Sequence, residues 1–88
     1  MMTSRDLRRL ARVLAETGRA ELAAQILSAS EVWREETGAS EGGYARAVEE
    51  TLALIRPALG EASFERAWAE GHALSADEAL ALVHDSLH

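Results

Sequence analysis

Apolar positions recur along this chain with helical period, and glycines punctuate them. Leu7, Leu10, Ala11 and Leu14 stand at i, i+3, i+4 and i+7, the spacing that gathers side chains on one helix face. Thr3 or Ser4 can cap the start of this first helix, predicted over about 4–17, and Gly18 suits the position just past its end. A second helix is predicted over about 19–37, with Leu22, Ile26, Ala29 and Trp33 as its stripe and Ala23, Leu27 and Ser30 beside it. Gly38 stops it, and residues 39–43 read as a loose connection. The third helix, about 42–59, carries Tyr44, Val48, Leu52, Ile55 and Leu59. Pro57 lacks an N–H and crowds the preceding turn, so a bend or early end is expected there. After Gly60 a fourth helix, about 61–71, presents Phe64, Ala67 and Trp68. Ser75-Ala76-Asp77-Glu78 is a capping box, in which Ser75 and Glu78 each satisfy the other's backbone N–H. It opens a fifth helix, about 76–87, with Ala76, Ala79, Leu80, Val83 and Leu87 inward.

No stretch alternates with period two, and only ten residues are Val, Ile or Thr. The predicted fold class is therefore all-α, with five helices in a single domain over 1–88. Short connections predict antiparallel neighbours, and so stacked αα-hairpins. The spacing of Leu10-Ala11, Leu14, Gly18, Ala23, Leu27 and Ser30 gives the first hairpin a tetratricopeptide-like character, with small residues where two helices approach. The second half does not repeat that register.

Composition changes this picture in one respect. Hydrophobic residues make up 48% of the 88, but eighteen of them are alanine. Alanine favours helix while burying little area, so a thin core is expected. The chain has no cysteine, which excludes disulfides, thiol nucleophiles and Cys-type zinc sites. It has no lysine, which excludes a Walker A phosphate loop and Schiff-base chemistry. No apolar run approaches the ~20 residues of a membrane helix, and the start lacks the apolar segment of a signal peptide, so a cytoplasmic location is expected.

Charge is unevenly spread. Residues 1–20 hold five arginines against two acids, whereas the remainder holds four arginines against thirteen. Arg5, Arg8, Arg9 and Arg12 fall opposite the apolar face of the first helix and oppose its dipole. This stripe could contact phosphate or an acidic surface. The acidic body argues against nucleic acid, so an internal acidic partner or an exposed amphipathic face is the more economical reading. Trp33 and Trp68 are read as core anchors, or else as the aromatic wall of an effector pocket. His84 and His88, at i and i+4, have zinc-ligand spacing but no third ligand downstream, and read as a polar helix end. His72 reads as an isolated, solvent-facing loop histidine. Glu35-Glu36 and Glu49-Glu50 are adjacent acids that diverge on a helix and form no dyad, so they read as solvated ion-pair faces. No Gly-x-Ser-x-Gly occurs. No enzyme, cofactor or metal site is expected.

Two segments carry a family resemblance. One is the run from Ala23-Ala24-Gln25-Ile26-Leu27 through Trp33-Arg34-Glu35. The other is Leu59-Gly60-Glu61-Ala62, Phe64, Ala67-Trp68-Ala69-Glu70-Gly71 and Ala73-Leu74-Ser75 with Glu78-Ala79. Together they resemble the C-terminal tetratricopeptide-like region of large actinobacterial ATPase-type transcriptional regulators, of the LuxR-type and adenylate-cyclase-like kinds. His72 stands where that pattern usually has arginine. The resemblance implies a superhelical, non-enzymatic module for protein contact or effector sensing, without the ATPase and DNA-binding domains. It would be a free-standing remnant or an excised piece of such a regulator. The expected partner is a protein or a second copy of the chain as a homodimer. The alternatives are a small-molecule effector module using Trp33 or Trp68, and nucleic-acid binding through the arginine stripe.

Overall fold

The computed structural model describes residues 4–37 and 44–86, apart from the side chains of 4, 5, 36, 37, 44, 45, 76 and 86. The described residues form five α-helices and no strand: α1 (Ser4–Glu16), α2 (Ala20–Thr37), α3 (Tyr44–Leu59), α4 (Glu61–His72) and α5 (Ala76–Ser86). None of them is long and apolar enough to cross a membrane.

The boundaries follow from backbone chemistry. Gly18 takes a positive φ of 85°. Its N–H reaches the Ala15 carbonyl, and the Arg19 N–H reaches Leu14 at 2.8 Å. This pair of bonds is a Schellman closure, which returns donors to the last carbonyls of α1. Gly60, at φ 80°, both receives the end of α3 and caps α4 without a side-chain bond. The capping box at α5 is formed on both sides: Ser75 N–H donates to Glu78 Oε1 at 3.0 Å, and Glu78 N–H donates to Ser75 Oγ at 3.1 Å. Pro57 does not end α3, which runs two residues past it. The donor it lacks would have served Ala53, an exposed residue, and the bond that closes the helix, from Gly60 N–H to the Arg56 carbonyl, is made at 2.9 Å. A proline in an exposed last turn therefore costs the helix little of its continuation.

Packing is organised around α2. It touches each of the other four helices, most extensively α1 and α4. Its stretch 22–30 is buried apart from Gln25, so the helix is enclosed nearly all round rather than along a stripe. Alternate helices also meet, α1 with α3 and α2 with α4, and α4 packs more on α2 than on α3. Leu7, Ala11 and Leu14 of α1, Ile55 of α3, Phe64 and Ala67 of α4, and Ala79 and Val83 of α5 complete the core. Leu10, Leu52, Leu59 and Leu80 are half-buried at its edge. Buried alanines at 23, 24, 29, 67 and 79 explain how a chain with few large apolar side chains encloses α2: small residues let helix axes close in.

Helices α2 and α4 approach closely at Gly71. A Cβ on Gly71 would run into the Gln25 carbonyl oxygen, so only glycine fits that crossing. The sequence pattern places Gly71 at the edge of a helix and carries no sign of a packed seam.

Candidate functional site

The arginine stripe is partly spent inside the chain. Arg12 donates through Nε to Glu16 and through Nη1 to Glu50, both at 3.0 Å, and so ties α1 to α3. Hydrogen bonds to Glu16 and then to Glu50 raise its pKa further. Arg8 is half-buried and engaged, and Arg9 is exposed. The side chain of Arg5 lies outside the described residues. An acidic partner within the chain thus accounts for Arg12. Glu50 is also approached by Arg46 at 4.0 Å, while its neighbour Glu49 diverges from it around the helix.

The two tryptophans are not brought to one site. Both are half-buried against the core. Trp68 belongs to a column on α4, its ring 5.6 Å from Phe64 and 6.3 Å from His72. Depressions of about 520, 420 and 290 Å³ lie among the described residues, and neither tryptophan lines any of these. The largest of these lies where the α1–α2 turn meets the end of α3 and Leu82 of α5.

His72 is not a loop residue. It is the last residue of α4, and its Nδ1 lies 2.7 Å from Ser28 Oγ. Ser28 also lies 2.7 Å from the Trp68 carbonyl oxygen. A hydroxyl has one proton, and a carbonyl can only accept. Ser28 therefore donates to Trp68, and His72 donates its Nδ1–H to Ser28. The hydroxyl is wholly buried and its proton is committed, so this Ser–His contact is a tie between α2 and α4 and not an activated nucleophile. Gln25 extends the tie, donating to Glu70 at 2.8 Å. A signal was present in the sequence: a serine inside an otherwise apolar run must find a hydrogen-bond partner when buried. What the sequence does not carry is that the partner comes from 44 residues away.

Among the described residues no group of three or more His, Cys, Asp or Glu could hold a metal ion. His84 is exposed, and His88 lies outside the described residues. Of the adjacent acids Glu35 and Glu36, the first is exposed and the side chain of the second lies outside the described residues.

An open groove remains on α3 and α4. Leu52 and Ala53 belong to one depression and Pro57 and Phe64 to another, and Arg56 lines both. The Arg56 guanidinium lies 4.9 Å from the centre of the Phe64 ring. Nearby Leu54 is 42% exposed.

Among the described residues these features define an all-α fold whose polar ties join its helices and whose surface includes an open groove on α3 and α4. Comparison with known proteins adds a regulatory connection. The chain is 36% identical over 77 residues to the "Putative HTH-type transcriptional regulator Rv0890c" of Mycobacterium tuberculosis, and equally so to its namesake Mb0914c of Mycobacterium bovis. The match covers 82% of this chain and 8% of each relative, so the chain is similar to a short segment of much larger regulators. No family model matches the chain, and no solved structure does.

Proposed function

We propose that this chain is a helical module of transcriptional regulation that acts by protein contact rather than by catalysis. The observation that carries this reading is its similarity to a segment of HTH-type transcriptional regulators across most of its length. Within that reading it corresponds to the tetratricopeptide-like region of the large ATPase-type regulators. The contacts of α1 with α3 and of α2 with α4 support this, because stacked hairpins place alternate helices side by side. It works in the cytoplasm without a cofactor. Its partner is another protein or a second copy of itself, and the exposed Val13 and Leu54 supply apolar surface for pairing.

Transcript profiling of a strain lacking the gene tests the regulatory reading. A limited set of altered transcripts is expected, restored by the wild-type gene. An unchanged profile under every growth condition tried contradicts it. Light scattering at about 10 mg/mL tests the self-pairing, for which a dimer mass is expected and a monomer mass speaks against it.

A further inference from the structure

The groove on α3 and α4 has an uneven charge balance. Its floor is apolar, formed by Leu52, Ala53, Pro57 and Phe64. Its rim carries Glu49, Glu61 and Glu65, all exposed. Some acids elsewhere are engaged by arginines, Glu16 and Glu50 by Arg12 and Glu70 by Arg66. None of the three rim acids has an ion-pair partner among the described residues. The single cation of the groove, Arg56, lies over the Phe64 ring. One arginine against three unpaired glutamates leaves a negative rim around an apolar floor.

Such a surface is complementary to a segment that is apolar on one side and basic on its flanks. Building on the protein-contact reading above, we infer that this groove takes a basic amphipathic helix of a partner protein, with an apolar side chain on the Leu52–Phe64 floor and arginine or lysine facing Glu49, Glu61 and Glu65. The chain's own basic helix cannot be the occupant in a second copy. The apolar side of α1, Leu7, Ala11 and Leu14, is already buried in its own core. The basic residues of the partner raise the rate of encounter and set its orientation, and the floor supplies the affinity.

The test uses the full chain, isotopically labelled, and a designed 18-residue helical peptide of leucine, alanine and arginine as probe. A peptide with glutamate in place of arginine is the control. Saturable binding on the order of 10–100 μM at 0.1 M salt is expected for the basic peptide. Its amide shifts should centre on residues 49–56 and 61–65. The Glu49→Arg/Glu65→Arg variant should weaken binding about tenfold, Leu52→Ser about as much, and Arg56→Ala should tighten it about two- to fivefold. Glu21→Arg, on another face, should change it less than about twofold. Circular dichroism verifies that each variant is folded. Absence of binding at 1 mM peptide, or equal binding of the glutamate peptide, overturns the groove assignment. Shifts centred on another face overturn it too, while leaving the protein-contact reading standing.

Discussion

Helices α2 and α3 have similar lengths, 18 and 16 residues, and both are rich in alanine and leucine, yet the fold uses them differently. Between residues 22 and 30 of α2, eight of nine side chains are buried. Over the described part of α3 only Val48, Thr51 and Ile55 are buried, while Ala53, Leu54, Pro57 and Ala58 stand exposed. Four helices surround α2, whereas α3 is covered on one side only, by α1, α2 and α4. Amino-acid type therefore does not decide exposure in this chain; the number of neighbours does. A helix enclosed all round holds the molecule together. One with apolar surface left over has surface available for another protein.

The largest effect should come from the seam that closes α2 against α4. Gly71→Ala forces a methyl group into the Gln25 carbonyl, and a loss of about 3–4 kcal/mol in denaturant unfolding is expected. A change below about 1 kcal/mol would mean that the two helices are less tightly apposed than their geometry requires. Next comes a direct contrast between the two helices. Ile26→Ala in α2 should cost about 3 kcal/mol, because Ile26 is fully buried. Leu54→Ala in α3 should stay within about 0.5 kcal/mol. Equal losses would erase the distinction between them.

Ser28→Ala removes the acceptor of His72 and one donor to the Trp68 carbonyl. That carbonyl keeps its helical bond, so a loss of about 1–2 kcal/mol is expected. Proton NMR of the histidine ring, with Nδ1 as the protonated nitrogen in the wild type, reads the tautomer directly. The smallest effect concerns the start of α5. The Ser75 backbone N–H, and then the Ser75 side chain, hold the Glu78 carboxyl below its ordinary value of 4.5. A native pKa below the unfolded one stabilises the fold above the unfolded value and loses that contribution as pH falls through the native value. The stability gap between wild type and Glu78→Gln should therefore be widest near pH 6 and shrink toward about pH 3. A gap that is constant over this range would remove the carboxylate from the cap.

Much of this architecture is readable in the chain. Helical spacing, glycine stops and a capping box point to five helices because each is a local signal, carried within about seven residues. The core face of α1 is legible for the same reason. The close crossing at Gly71 and the Ser28–His72 tie are not, because each joins residues more than forty positions apart. Thr51 shows a further limit. It is buried in α3 although it is polar, and it returns its hydroxyl proton to the Ala47 carbonyl at 3.1 Å, a bond that hides it from a hydrophobic pattern. The arginine stripe was visible as a stripe. The engagement of Arg12 with Glu50, 38 residues away, required the packing of α1 on α3. The charge imbalance between the two ends of the chain is thus met in part by its own fold, and Glu49, Glu61 and Glu65 are among the described acids left without an ion pair.

Hydrogen exchange of the isolated chain under native conditions tests the contrast between α2 and α3 most directly. Amides of residues 23–30 should exchange only through global unfolding, and those of residues 53–56 and 58 about 10–100-fold faster through local opening of α3. Equal protection of the two segments, or slower exchange in α3, would contradict the assignment of α2 as the structural centre and of α3 as the exposed working face.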